Sequence, residues 1–293
     1  MTRSSLDRRG FLSVGGGAAA ATLLGAGRAG ASDARARVVL VRRREVLGAD
    51  GRVNGPVLHG MLNEAVAALL GERDAGAAWR RLVKPADVVG VKSNEWGRLP
   101  TPPELEQAIR EEIVGAGVRP ENVAVDDRGV RSNPVFRRMS ALVNVRPMRT
   151  HAWSGLGTCL KNVIMFADDP PAYHGDACAS LGALWQLPQI AGKVRLNVLV
   201  MLTPQFHSVG PHSFAKELTW RYYGLVVGVP PAPVDATGAR IIQAKRRQHF
   251  GADRPISPSP DHIEIAGSRY GLGPTDPAQI DLVRLGFAED ALV

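Results

Sequence analysis

The stretch Val194–Leu202, VRLNVLVML, is apolar almost throughout and rich in β-branched residues. A short run of this kind, without polar alternation, marks a strand buried on both faces. Comparable runs stand at Arg37–Val41 (RVVLV), Asp87–Val91 (DVVGV), Asn122–Val125 (NVAV) and Leu225–Val229, with a weak one at Leu142–Val145 and a last one at Ile280–Arg284. Between them the apolar residues fall at helical spacing. Val57–Leu70 is stopped by Gly71, and Glu104–Val114 is entered through Pro102-Pro103 and ended by Gly115 and Gly117. Further helices are expected at Ala179–Leu187, Val234–Gln248 and Pro260–Tyr270. Buried strands alternating with helices predict an α/β fold, a mostly parallel sheet with helices on both faces. Residues 148–180, rich in Gly, His, Asp and Pro, read as an irregular functional insertion, and 253–260 as a Pro/Ser loop. No repeat or long linker divides residues 32–293, so one large domain is expected there.

The first 31 residues are of another kind. Asp7-Arg8-Arg9-Gly10-Phe11-Leu12 precedes an apolar Gly/Ala/Leu run to about Gly27, and Ala29-Gly30-Ala31 offers a small-residue cleavage site. This order predicts a twin-arginine signal peptide over 1–31. It implies the twin-arginine translocase as a partner and a periplasmic or otherwise exported location. The competing reading is a buried Gly/Ala helix. The run is shorter and richer in glycine than the roughly 20 apolar residues of a membrane span. No later segment qualifies, so no transmembrane span is expected beyond the leader.

The formal net charge is +8. Part of it belongs to the leader, where Arg3, Arg8, Arg9 and Arg28 face only Asp7. The remainder is mildly basic and favours an anionic ligand or surface, with a small anionic ligand as the expected partner. No nucleic-acid recognition motif is present, so that class of partner is not expected. Arg42-Arg43-Arg44 and Lys245-Arg246-Arg247 read as solvated ends of elements. Cys159 and Cys178 are the only cysteines. Two thiolates cannot hold an iron–sulfur cluster within one chain. An oxidising compartment permits a disulfide between them; two buried thiols are the alternative.

In open α/β sheets, ligands sit beyond the carboxyl ends of the strands. DVVGV is followed by Lys92-Ser93-Asn94-Glu95, and NVAV by Asp126-Asp127-Arg128. VRLNVLVML is followed by Thr203, Gln205 and His207, with His212 close behind. Parallel strands would bring these clusters to one rim. A second constellation runs from Thr150 to Asn162, THAWSGLGTCLKN. Gly155 and Gly157 would let backbone amides approach a ligand, while Ser154, Thr158 and Lys161 offer donors to an anion. The loop lacks Gly-Lys-Ser/Thr and is no Walker A motif, and Gly-x-Ser-x-Gly is missing too. A third piece, Asp168–Asp176, carries His174 among three carboxylates. His151 and His174 with Asp127 or Asp176 can build an N/O site for a divalent metal, or an acid–base set around a bound anion.

These pieces, in this order, resemble the DUF362 family, a group of uncharacterised proteins. The matching stretches are VGVKSN (89–94), ENVAVDDRG (121–129), THAWSGLGTCLKN (150–162), YHGDAC (173–178), KVRLNVLVML (193–202), PVDATGARII (233–242) and PDHIEIAGSRYGLG (260–273). The resemblance implies one DUF362-like α/β domain over 32–293. It points to Lys92, Asn94, Asp127, His151, Lys161, Asn162, His174 and Asp235. Many relatives carry a ferredoxin-like cysteine set that this chain lacks.

The expected site therefore has His151, Lys161, Asp127 and His174 as its catalytic set, with Asp127 fixing an imidazole. Lys92 and Lys161 hold the anionic group. Asn94 and Asn162 orient it, and Ser154, Gly155 and Gly157 complete the ligand contacts. The metal candidates are His151, His174 and Asp176. A non-catalytic periplasmic ligand-binding or metal-handling protein is the alternative.

Overall fold

Val38 and Leu40 pack into one apolar layer and Val39 and Val41 into another, the alternation of a strand covered on both faces. This strand, β1 (Ala36–Arg42), belongs to an eight-stranded sheet in a computed structural model that describes residues 35–208 and 214–293. The other strands are β2 (Val89–Lys92), β3 (Val123–Asp126), β4 (Ala141–His151), β5 (Gly155–Gly157), β6 (Val194–Gln205), β7 (Gly224–Gly228) and β8 (Ile280–Gly286). Their order is β3-β2-β4-β6-β7-β1-β8, with β5 paired to β4. β3, β2, β4 and β6 are mutually parallel, as are β1 and β8. β7 runs against both of its neighbours, and β5 against β4. The expected α/β architecture with a mostly parallel sheet is what the chain adopts.

Helices α1 (Gly55–Leu70), α2 (Ala75–Leu82) and α3 (Pro103–Gly115) cover one face through Leu58, Leu62, Trp79, Leu105 and Ile109. α1 begins where the Asn54 side chain accepts the Val57 amide at 3.3 Å, a cap the sequence reading did not pick out, and ends at left-handed Gly71, the stop read from the sequence. The other face is covered by α4 (Pro134–Arg138), α5 (Cys159–Asn162), α6 (Pro231–Phe250) and α7 (His262–Tyr270). Residues 35–293 form one compact unit. Among the described residues no helix is long and apolar enough to cross a membrane. The predicted signal peptide lies outside the described residues, as does His212.

Two sequence expectations are corrected. The irregular region was expected from residue 148, yet β4 continues through Pro147 to His151 and turns back into β5. Proline supplies no ladder donor, and the pairing with β6 shifts register between Pro147 and Arg149. The helix expected at Ala179–Leu187 is a run of 3-10 turns over Ala179–Gln186, packed on α7.

Candidate anion-binding site

Because β2, β3, β4 and β6 are parallel, their carboxyl ends share one rim. α5 is fixed at that rim by buried polar contacts. The Asp235 carboxylate, fully buried on α6, accepts the amides of Cys159 at 3.0 Å and Leu160 at 2.8 Å. Burial pushes this carboxyl up to about 6, against the pull of those amides. Asn162 Nδ2 donates to Asn144 Oδ1 on β4 at 2.8 Å and to the carbonyls of Val145 and Lys92 at 3.0 and 3.2 Å. Asn144 in turn donates to Asn197 on β6 at 2.8 Å. Such a satisfied network fixes a unique arrangement, and here it fixes the backbone that carries Lys161.

Lys92 does not reach the ligand space. Its fully buried ammonium is hydrogen-bonded and ion-paired to Asp127 and donates to the Ser93 carbonyl at 2.7 Å. Burial pushes Lys92 down to about 8, against the attraction of Asp127. Burial alone would raise Asp127, but the Lys92 ammonium and the Glu95 amide, 2.9 Å away, hold it below its ordinary value. With both oxygens engaged, Asp127 orients neither imidazole. The expected pairing of Asp127 with a histidine is replaced by a lysine–carboxylate pair that joins β2 to β3.

Two further cations at the rim come from the second half of β4. Arg146 is 4% exposed and Arg149 7% exposed. Neither forms an ion pair among the described residues. Among the described residues Arg146 Nε has no hydrogen-bond partner. Arg149 donates to Asn94 Oδ1 at 3.1 Å and lies 4.1 Å over the Trp96 ring, a cation–π contact. Burial, with Arg146 adding to it, pulls Arg149 down from the ordinary value, and burial lowers Arg146 against the attraction of Asp127. A guanidinium nevertheless stays protonated near neutrality. Both line a cavity of about 210 Å³ together with Asn94, Asp127, Lys161 and Asn162.

The opposite wall is aromatic. His174 stacks on Trp153 with centroids 4.5 Å apart, and His151 lies 5.5 Å from Trp153. Lys161 Nζ is 2.9 Å from His174 Nε2 and 3.6 Å from Cys178 Sγ. An ammonium donor requires an unprotonated Nε2, in keeping with burial and Lys161 holding His174 below its ordinary value. Burial lowers His151 strongly, with Lys161, Arg146 and Arg149 adding to the effect. Beneath Lys161 the chain passes through left-handed Ala177 (φ 54°) and Cys178 (φ 66°). Two consecutive non-glycine residues there cost about 1–3 kcal/mol each, strain that gathers at functional sites. Cys159 and Cys178 are both free buried thiols, not a disulfide.

Several expected contacts fall elsewhere. Ser154 is fully buried and donates to the Leu156 carbonyl at 2.6 Å. Gly155, at φ +69°, is a glycine because a Cβ would stand 2.2 Å from the Pro258 carbonyl. At Gly157 a Cβ would stand 2.8 Å from Arg146 Nη2. These glycines make room for a neighbouring loop and for Arg146; they do not line the cavity. Asp176 is exposed and accepts the Ser180 amide at 3.1 Å, so it does not complete a metal site with His151 and His174. Among the described residues no three His, Cys, Asp or Glu side chains gather as metal ligands. The third polar strand end also divides. Gln205 bonds Thr150, Thr203 lines a separate apolar groove, and His207 accepts from Arg246 at 3.0 Å.

Arg146, Arg149 and Trp96 were missed as site residues. Their signal was present: two arginines, in VNVRPMRTH, directly follow a buried-strand run. Compared with known protein families, with curated proteins and with solved structures, the chain shows no match.

Proposed function

We propose that this cavity binds a small molecule through a carboxylate or phosphate group and that the protein is an enzyme acting on it. The observation that carries this reading is the pair Arg146 and Arg149, both more than nine-tenths buried, facing one cavity and in no ion pair among the described residues. A buried charge left unpaired costs several kcal/mol, so an anionic occupant relieves a standing electrostatic cost. Guanidinium forks match planar oxyanions, and Lys161 adds a third cationic donor. Asn94 orients Arg149, Asn162 places α5, and the unprotonated imidazoles of His151 and His174 supply acid–base groups. The twin-arginine pattern at 1–31 and the DUF362-like stretches support an exported member of that family.

Thermal denaturation with orthophosphate, pyruvate and malate, against uncharged analogues, tests the reading. At least one anion should raise Tm by several degrees, and Arg146→Gln should lose the shift. Equal behaviour of charged and uncharged compounds would overturn it.

A further inference from the structure

We infer that Lys161 captures the carbonyl group of a small oxo acid as an imine while Arg146 and Arg149 hold its carboxylate. This rests on the anion-binding reading and adds a covalent step to it. The two buried lysines of the rim differ in a telling way. Lys92 has a carboxylate partner and lies outside the cavity. Lys161, only 2% exposed, lines the cavity, and its Nζ meets an imidazole nitrogen and a thiol sulfur, neither of them a carboxylate. A lysine serving as a charge alone is better placed in an ion pair or in solvent; an amine meant to attack is desolvated beside other cations.

Burial, with Arg146 and Arg149 nearby, pushes Lys161 down to about 8. The free amine is thereby brought within reach near neutral pH. His174 Nε2, 2.9 Å away, is in place to take the proton. The free amine forms a C–N bond to the carbonyl carbon, and the carbonyl electron pair moves to oxygen, which takes a proton back from His174. Loss of that oxygen as water, with a second proton shuttled from nitrogen through His174, breaks the C–O bond. The balance is one ammonium and one carbonyl giving one iminium and one water, with no oxidant or reductant. The iminium keeps a positive charge beside the carboxylate. A cavity of about 210 Å³ suits an acid of a few carbons.

The test is incubation of the full chain with pyruvate and cyanoborohydride, followed by peptide mass spectrometry, with pyruvate binding followed in parallel by calorimetry. The expected product is N-carboxyethyl-lysine at Lys161. It should be absent in Lys161→Arg, competed by lactate, and reduced about tenfold or more in Arg146→Gln. Arg146-dependent pyruvate binding without an adduct at Lys161 would overturn the covalent step and leave the anion reading standing. Adducts scattered over surface lysines and indifferent to Arg146→Gln would overturn it as well. Absence of both binding and adduct would overturn it, and phosphate binding under the same conditions would then show whether the anion reading survives.

Discussion

Lys161 Nζ lies 2.9 Å from His174 Nε2, so a buried cation has a neutral base as its closest polar partner. The contact joins α5 to the strained loop that ends at Cys178 and sets the protonation logic of the cavity.

Anion affinity should therefore depend on pH through Lys161. Its ammonium, pushed down to about 8, is present below that pH and lost above it. Titration calorimetry with a non-carbonyl anion such as lactate should show steady affinity from pH 6 to about 7 and a fall as pH rises through 8. Imine trapping with pyruvate should move the other way, rising over the same interval. In Lys161→Arg, which stays charged, the loss of lactate affinity near pH 8 should disappear.

Breaking the Lys92–Asp127 pair should destabilise the fold more than its ligand site. Asp127→Asn or Lys92→Met leaves its partner buried and unpaired, a loss of about 3–5 kcal/mol. The double variant Lys92→Met/Asp127→Leu should lose less than the two single losses combined, as urea denaturation would show. Additive losses would contradict the pairing.

The two site glycines should separate stability from binding. Gly155→Ala places a Cβ 2.2 Å from the Pro258 carbonyl at a positive φ, and should lower Tm. Gly157→Ala presses on the Arg146 guanidinium at 2.8 Å and should weaken anion binding with a smaller effect on Tm. Paired melting and binding measurements on the two variants check this.

Asp235 should make stability depend on pH in the acid range. Burial raises its carboxyl to about 6 in the folded chain, against about 4 when unfolded. The folded state then holds a proton that the unfolded state releases. This contribution is full below about 4 and is lost as pH rises through 6. The Tm advantage of the native chain over Asp235→Asn should shrink between pH 4 and 7.

Much of the fold was legible because buried strands leave apolar runs. VRLNVLVML and DVVGV lie at β6 and β2, and Gly71 marks the end of α1. The reversal of β7 was not legible, since an apolar run carries no direction. Neither was the length of β4, because Pro147 and the charges after it break the pattern where a register shift accommodates them. Lys161, Asn162, His151 and His174, all singled out from the sequence, line one cavity. Arg146 and Arg149 were hidden because periodicity treats a charge inside a strand as noise, although both guanidiniums line the cavity beside Lys161. Gly155 and Gly157 misled for the converse reason: glycine signals close approach without saying what approaches.

Anion binding in the cavity beside β4 should depend on Arg146. Calorimetric titration of the full chain with pyruvate and with phosphate, beside Arg146→Gln and Arg149→Gln, tests it most directly. Saturable one-to-one binding of at least one of them, weakened about tenfold or more in each variant while the fold persists, is the predicted result. Binding that is absent, or that survives both substitutions unchanged, would contradict it.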